Sequence, residues 1–235
     1  MIEETKADKK DAMLSIDDMQ VAGLHFGHRV SRLHPKMKPY VSGIKNNVHI
    51  IDLEKTGKEF EKALAFISKL VSEGKNILFV GTKIQVKQFV KSNAELSNMP
   101  YVIERWLGGT FTNFETIAKR VQYFKELENK KATGGLEKYT KKERSLFDKE
   151  LEILRRKFEG IKNMVKLPDA VFILDVRKDI TAAREAKRKG IKIVGVIDTN
   201  VDPNLVEYPI PANDDAISSV RYILEKVSET IQNSK

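Results

Sequence analysis

The chain has 235 residues, of which 41% are hydrophobic, so it can bury the core of one large domain or of a domain that carries an insertion. It contains no cysteine, which excludes disulfides, thiolate zinc sites and cysteine nucleophiles. Its formal net charge of +9 favours an anionic partner, most often nucleic acid or an anionic membrane surface.

The first segments of the chain differ in charge. Residues 1–20 carry six acidic and three basic side chains, and we expect residues 1–14 to form a disordered acidic extension. This start lacks the apolar core of a signal peptide, and no apolar run reaches the ~18 residues that span a bilayer, so we expect a soluble, cytoplasmic protein. Residues 21–51 carry five basic residues, all four histidines and no acid. This acid-free segment is therefore the first candidate for a phosphate-binding surface, and a solvated Lys-rich surface is the alternative.

Strands alternate with helices over much of the remaining chain. The strand candidates are short runs rich in β-branched residues and bounded by Gly, Pro or Asp, and in chain order they are 48–53, 76–80, 101–103, 170–175 and 191–198. The helix candidates repeat apolar residues at spacings of three and four, and they are 60–71, 82–93, 181–189 and a last helix that Asp214 opens. The alternation predicts an α/β fold with a mostly parallel sheet that is covered by helices on both faces.

Residues 112–166 interrupt this alternation. Apolar stripes at 114–124 and 147–161 lie on either side of Thr133-Gly134-Gly135, and Thr140 with Glu143 predicts a capping box. The pattern predicts an antiparallel coiled-coil hairpin that is inserted into an α/β domain made of residues 15–111 and 167–235. The segment carries fifteen basic and nine acidic residues, which fits an exposed arm that reaches a partner. A second basic run, residues 177–192, carries seven basic and two acidic residues.

Acidic residues follow the predicted strands, and they suggest a rival hypothesis. They are Asp175, Asp179, Asp198, Asp202, Asp214 and Asp215. Beyond the carboxyl ends of parallel strands such groups could hold Mg²⁺ or act as acid and base in an enzyme. The sequence has no G-x-G-x-x-G, P-loop or G-x-S-x-G motif, and Phe79–Lys83 is too short to wrap a nucleotide. Turns and helix starts are the alternative role of these acids, with Thr82 as an N-cap and residues 213–215 at the start of the last helix.

The histidines and the single tryptophan each have two interpretations. His25 and His28 are three residues apart and could begin a zinc site, but no Cys or acid lies near them in sequence to complete it. We therefore expect no metal and no cofactor, and we expect these histidines to contact RNA or to pack locally. Trp106 either stacks on a base or packs at the base of the hairpin, whose first helix Thr112-Asn113 is expected to cap.

The same segments resemble a known family, the bacterial-type small-subunit ribosomal protein two, from about Ser15 to Ile231. Eight segments in matching order carry this resemblance: AGLHFGH at 22–28, HPKMKPY at 34–40, VHIIDLEKT at 48–56, ILFVGTK at 77–83, RWLGG at 105–109 with Thr112-Asn113, LPDA at 167–170, IDTN at 197–200 with Asp202-Pro203, and IPANDDAI at 210–217. The family often has Trp before the Asn-Pro-Lys-Met segment, whereas Leu33-His34 precede Pro35 here.

The resemblance implies a flavodoxin-like sheet with a coiled-coil insertion and no catalytic activity. It also implies a place between the head and body of the small subunit, bound to ribosomal RNA, and a role in docking small-subunit ribosomal protein one and in translation initiation. Neighbouring small-subunit proteins are expected partners, and neither a membrane nor a small-molecule substrate is expected. A membrane-surface protein is the third hypothesis, but the narrow seam of the hairpin leaves no apolar face for lipid.

The predicted RNA-binding residues combine the acid-free segment with the base and helices of the hairpin. They are His25, His28, Arg29, Arg32, Lys36, Lys38, Arg105, Trp106, Lys119, Arg120, Arg155 and Arg156.

Overall fold

A computed structural model describes residues 14–235. The predicted acidic extension lies outside the described residues except for Leu14, which packs against the core. The helices are α1 (Ile16–Val21), α2 (Leu53–Ser72), α3 (Lys87–Leu96), α4 (Phe114–Ala132), α5 (Lys141–Phe158), α6 (Ile180–Lys189) and α7 (Ile217–Asn233). The strands are β1 (Phe26–Arg29), β2 (Val41–Lys45), β3 (Val48–Ile51), β4 (Ile77–Val80), β5 (Tyr101–Val102), β6 (Ala170–Ile173), β7 (Lys192–Ile197) and β8 (Tyr208–Pro211). Within this described part, no helix combines the length and the apolar character that a bilayer crossing needs.

Five strands form the parallel sheet that the sequence predicts, in the order β5-β4-β6-β7-β8. Numbered among themselves along the chain, these strands run 2-1-3-4-5, which is the flavodoxin-like order. β4 and β6 are buried along their whole length because helices cover both faces of the sheet. The order reverses between β4 and β6, so a crevice lies beyond their carboxyl ends. β8 was not predicted, since Pro209 and Pro211 mask its strand character, and prolines confine it to the sheet edge.

Successive side chains along each strand of the parallel sheet point to opposite faces, and each face packs into its own hydrophobic core. Ile77 and Phe79 of β4 point into a core with α2, α3 and α7. Leu78 and Val80 point to the opposite face, where they pack with α6 and with apolar residues of α4 and α5. The parallel sheet is therefore a rigid central layer that fixes the loops beyond its carboxyl ends.

A second sheet is built from the acid-free segment, in the order β1-β3-β2, and both of its pairings are antiparallel. Residues 48–53 were predicted to form a strand of the parallel sheet. The strand β3 does form there, but it belongs to the small antiparallel sheet, so the predicted placement was wrong. Only Asn46 and Asn47 connect β2 to β3, both with positive φ. Such a two-residue turn makes a hairpin, whereas a parallel pair needs a long crossover connection.

Residues near the two ends of the chain are bonded to each other. The backbone N–H of Asn213 donates to the carbonyl of Leu24 at 3.0 Å, and the hydroxyl of Ser218 donates to the carbonyl of Ala22 at 2.8 Å. The hydroxyl of Thr56 donates to the carbonyl of Pro211 at 2.6 Å. The segment that leads into β1 is thus held by the turn between β8 and α7.

Helices α4 and α5 pack against each other in antiparallel order. Lys131 pairs with Asp148 at 2.7 Å, and Glu128, one turn earlier, pairs with Arg155, two turns later, at 2.9 Å. The capping box is confirmed, because Thr140 accepts from the N–H of Glu143 and the carboxylate of Glu143 accepts from the N–H of Thr140. The description of residues 112–166 as an inserted coiled coil stays a prediction.

Candidate nucleic-acid interface

The acid-free segment exposes its cations on a rigid support. Arg29, Arg32, Lys36 and Lys38 are all exposed, whereas Met37 between them is fully buried and anchors the 3₁₀ segment Pro35–Tyr40 to the core. Lys36 pairs with Asp202 at 2.7 Å. Within residues 14–235, no carboxylate lies within ion-pair distance of Arg29, Arg32 or Lys38. These three cations are therefore available to phosphates.

The two histidines of the predicted site differ in environment. His28 Nδ1 lies 3.0 Å from Asp198 and its Nε2 lies 3.6 Å from Asp215, so this ring joins β1 to the parallel sheet. The His25 ring lies against Phe26, with ring centroids 4.0 Å apart and the ring planes tilted by 39°. Burial together with Lys45 lowers the pKa of His25. The described residues contain no group of three potential metal ligands from His, Asp and Glu. Local packing is what the contacts of His28 favour.

Beyond the carboxyl ends of β4, β6 and β7, Lys83 lies among three of the acidic residues that the sequence predicts there. Its ammonium lies 2.8 Å from carboxylate oxygens of Asp175, Asp214 and Asp215. Burial alone would lower the pKa of Lys83, but these carboxylates outweigh it and raise the pKa. The ammonium thus occupies the place that a metal ion would need among these acids. Sequence reasoning missed Lys83, whose only signal was its position directly after Gly81-Thr82 at the end of a strand.

Two expected helix starts are corrected at this edge of the sheet. Thr82 is not an N-cap, because α3 begins at Lys87 and the Thr82 hydroxyl donates to Asp179 at 2.9 Å. The last helix begins at Ile217 rather than at Asp214, since the side chain of Asn213 accepts from the N–H of Asp215 and of Ala216 and closes a turn there. Buried against Asp175 and Asp198, Asp214 has a pKa raised to about 7.

The pH dependence of stability tests the contacts of His28. A hydrogen bond to Asp198 raises the pKa of His28. Burial opposes this shift, whereas the charges of Asp198, Asp214 and Asp215 support it. A raised pKa in the folded state stabilises the protein below the unfolded pKa, and this contribution is lost as the pH rises through the folded value. We expect His28→Gln to lose about 1 kcal/mol of unfolding free energy at pH 6 and less at pH 8, measured by urea denaturation. Equal losses at both pH values would contradict the ion pair. The raised pKa of Asp214 also makes stability fall as the pH rises, but Asp214 is present in both proteins, so its contribution is common to them.

A single buried carboxylate organises the loop from Trp106 to Thr112. Glu185 of α6 accepts from the backbone N–H of Gly109 at 2.7 Å, of Phe111 at 2.9 Å and of Thr112 at 3.2 Å. It also accepts from the Trp106 indole at 3.3 Å. Burial would raise the pKa of Glu185, but these hydrogen bonds outweigh it and lower the pKa. The loop is consequently fixed to α6, and Glu185 was not recognised in the sequence although it lies on the alanine face of α6.

This arrangement decides between the interpretations of neighbouring residues. The Trp106 ring is buried and packs edge-on against Phe111 at 4.7 Å, so its surroundings favour packing over base stacking. Asn113 does precede the first residue of α4, but the predicted capping hydrogen bond is absent. The Thr112 hydroxyl donates to Glu185 instead, and the side chain of Asn113 accepts no backbone N–H of the helix.

The structure brings three further predicted residues together in a second place. Arg105, Arg155 and Arg156 line a groove of about 430 Å³ between α3 and α5. This hairpin groove is also lined by Lys91, Lys157, Glu95, Glu104, Glu152 and Glu159. Arg155 pairs with Glu128, and Arg156 pairs with Glu152, whereas Arg105 has no carboxylate partner among residues 14–235. Lys119 and Arg120 are exposed on α4 and do not line this groove.

The basic segments of the sequence meet in part. Arg177 and Lys178, from the second basic run, line a cleft together with His28 of the acid-free segment. The helical segment instead meets Arg105 at the hairpin groove. Neither the cleft nor the groove is lined by residues of all three segments.

Comparison with known proteins agrees with this fold. The family model described as "Ribosomal protein S2" matches residues 19–234. The "Small ribosomal subunit protein uS2" of Coprothermobacter proteolyticus is 44% identical over 220 residues, which cover 94% of this chain and 82% of that protein. The chain therefore belongs to the ribosomal protein S2 family, whose members are structural proteins of the small ribosomal subunit.

Proposed function

We propose that this chain binds ribosomal RNA between the head and body of the small subunit in the cytoplasmic ribosome, with the acid-free segment as its main contact. The observation that carries the proposal is the exposure of Arg29, Arg32 and Lys38 without carboxylate partners in residues 14–235. Free cations release counterions from the RNA on binding, whereas a cation that already has a carboxylate partner must first give it up. Lys36, shared with Asp202, makes a smaller contribution in this scheme.

The helices α4 and α5 act in this proposal as an inserted coiled-coil arm. Their exposed cations include Lys119 and Arg120, which have no carboxylate partner in the described chain, and Arg155 and Arg156, which have partners. Lys119 and Arg120 therefore rank above Arg155 and Arg156 as phosphate contacts. Arg105 joins them from the rim of the hairpin groove.

Charge reversal tests the main contact. We expect replacement of Arg29, Arg32, Lys36 and Lys38 by Glu to weaken binding to small-subunit particles that lack this protein by at least about tenfold at moderate salt, and to flatten the salt dependence of binding. The measurement is co-sedimentation across a salt series. Thermal unfolding confirms that this variant and the control variant described next are folded.

The control changes the same amount of charge elsewhere. Replacing Lys58, Lys62, Lys69 and Lys75, on α2 and the turn after it, by Glu alters the net charge equally but lies outside the acid-free segment. If both variants lose the same affinity, net charge alone explains the binding and the assignment of the contact is wrong.

We further propose that small-subunit ribosomal protein one docks on the outer face of the β1-β3-β2 sheet. The pairing register places Phe26 opposite Ile50, and Arg29 and Lys45 opposite Val48, all on one face. Phe26 is 46% exposed, although a large aromatic side chain is normally buried. Because Arg29 is assigned to RNA, Lys45 is the cation beside this exposed apolar strip, which fits a protein segment that has apolar and acidic side chains.

Truncation of Phe26 tests this docking. We expect Phe26→Ala to weaken the affinity for protein one about tenfold, because aromatic anchors carry much of the binding energy in interfaces. Leu96→Ala, which shortens another exposed apolar side chain on α3, is the control and should leave the affinity unchanged. Surface plasmon resonance with purified protein one provides the measurement, and equal affinities for wild type and Phe26→Ala would refute the docking face.

The strand-end acids give little support to the rival enzyme. Asp175, Asp214 and Asp215 hold Lys83, while Asp198 holds His28. Membership of a family of ribosomal structural proteins points the same way.

A further inference from the structure

Helix α5 carries two sets of apolar side chains, and only one of them is covered. Leu151, Leu154 and Phe158 are buried in a hydrophobic core together with residues of α4. Leu146 and Ile153 lie outside this core and are 58% and 53% exposed. Because these two residues are seven positions apart, they share one face of the helix and are separated by two turns, about 10 Å along its axis. We call this surface the α5 outer face.

Three lysines accompany the exposed apolar side chains. Lys142 lies four residues before Leu146. Lys149 lies four residues before Ile153, and Lys157 lies four residues after it. Residues at this spacing are neighbours on a helix surface, so each lysine belongs to the α5 outer face. All three are exposed, and within residues 14–235 none of them has a carboxylate within ion-pair distance.

Two acidic residues border the α5 outer face, and each has a contact of its own. Glu143 closes the capping box at the start of the helix by accepting from the N–H of Thr140 at 2.9 Å. Glu150 faces Tyr123 of α4, where it helps to raise the pKa of this tyrosine after the larger effect of burial. Even if both carboxylates are counted in full, the three lysines leave an excess of positive charge on the α5 outer face.

Two further acids of α5 pair with cations away from this face. Asp148 pairs with Lys131 of α4 at 2.7 Å, and Glu152 pairs with Arg156 of α5 itself. Both carboxylates are therefore neutralised within the protein. The α5 outer face thus combines an apolar strip with cations that have no partner in the described part of the chain.

This combination distinguishes among the possible occupants. A second copy of the chain would bring the same lysines against these lysines, and like charges repel. RNA phosphates would pair with the lysines but would leave the two apolar side chains facing a polyanion. A lipid surface needs a broader apolar face than two side chains provide. An amphipathic helix with acidic residues beside its apolar stripe matches both the apolar strip and the charge.

We propose that the α5 outer face binds an amphipathic acidic helix of a partner protein. Apolar side chains of the partner pack against Leu146 and Ile153, because a stripe with steps of three and four residues meets positions that are seven apart. Carboxylates at the edges of that stripe pair with Lys142, Lys149 and Lys157, which favours an acidic helix over a basic one. The inference is independent of the proposed RNA contacts, none of which uses these five residues.

Binding of a synthetic helical peptide to the full chain tests the α5 outer face. The peptide has leucines at steps of three and four and glutamates beside them, and a second peptide has the same composition in scrambled order. We expect fluorescence anisotropy to show saturable binding of the first peptide only. The affinity should fall at least about tenfold when Leu146→Gln and Ile153→Gln are combined. Glutamine is a good helix former, so α5 stays intact, which circular dichroism checks.

The matched control for the apolar contact combines Leu96→Gln and Val165→Gln. These side chains are 68% and 89% exposed and lie on α3 and in the segment before β6, so the affinity should stay unchanged.

Charge reversal tests the lysines in the same assay. Lys142→Glu combined with Lys149→Glu should weaken binding of the first peptide at least about tenfold. Lys189→Glu combined with Lys192→Glu reverses the same charge at the end of α6 and the start of β7, where both lysines are exposed, and should leave the affinity nearly unchanged.

Loss of peptide binding in the two α5 variants but not in their controls supports the inference. Absence of saturable binding, equal binding of the scrambled peptide, or equal losses in a variant and its control overturns it. Binding of phosphatidylserine vesicles or of oligouridylate that depends on Leu146 and Ile153, without binding of the peptide, assigns the face to lipid or to RNA and also overturns it.

Discussion

Gly160→Ala is expected to destabilise the protein by about 3 kcal/mol or more. A Cβ atom at Gly160 would lie 2.1 Å from the backbone carbonyl oxygen of Tyr101 and 2.5 Å from its ring. A backbone carbonyl in the sheet cannot move aside like the tip of a side chain, so the 3₁₀ segment after α5 would have to move away from β5. Overpacking of a close contact typically costs about 1–3 kcal/mol, and this overlap lies at the severe end.

The matched control is Gly108→Ala. A Cβ at Gly108 would meet no atom within 4 Å, and its backbone is not in the left-handed region, so the change should stay within about 0.5 kcal/mol. Chemical denaturation of both variants measures the difference. Similar stabilities for the two would show that Gly160 does not sit against Tyr101 in solution.

Glu185→Gln is expected to cost about 3 kcal/mol. The carboxylate accepts from three backbone N–H groups and the Trp106 indole, whereas an amide offers one acceptor oxygen and turns two N–H donors toward these donors. Hydrogen bonds to a charged group are worth about 1.5–3 kcal/mol, and the groups left unpaired add their desolvation cost. The fluorescence of Trp106, the single tryptophan of the chain, reports directly on its environment in the same denaturation experiment.

The effect of Glu185 should depend on pH in one direction. Its folded pKa lies below the ordinary value, so its stabilisation is present above the unfolded pKa and is lost as the pH falls through the folded one. The difference between wild type and Glu185→Gln should therefore shrink in acid. Glu225→Gln, an exposed residue paired only with Arg221, is the control and should change stability by less than about 0.5 kcal/mol. A difference that is independent of pH would argue against an ionised Glu185.

The parallel sheet could be predicted because its central strands carry their own signal. Residues 77–80 and 170–173 are buried on both faces, so each reads as an uninterrupted apolar run between polar residues. The strands β1 and β2 of the small sheet carry no such signal, since β2 is mostly exposed and β1 contains no buried residue. The alternation of strands and helices therefore predicted the main layer and misplaced β3.

The two residues that organise the candidate sites, Lys83 and Glu185, act through contacts between segments that are distant in the sequence. Lys83 meets acids that lie 92 to 132 positions later in the chain, and Glu185 binds a loop more than 70 positions earlier. Local spacing identifies these residues only as a lysine after a strand and an acid among bases. The exposed cations of the acid-free segment were easier to predict, because a segment without acids offers them few partners nearby.

The bonds between Ala22, Leu24, Asn213 and Ser218 set an order for biogenesis. Since residues 22–24 leave the ribosome long before residues 213–218, a growing chain cannot form these bonds at the entrance to β1 until residues 213–218 have been made. A product that stops before residue 213 would carry the same cations on a sheet that lacks these bonds. The bonds between residues 22–24 and 213–218 thus distinguish chains that contain both segments from shorter products before either competes for a place in a new particle.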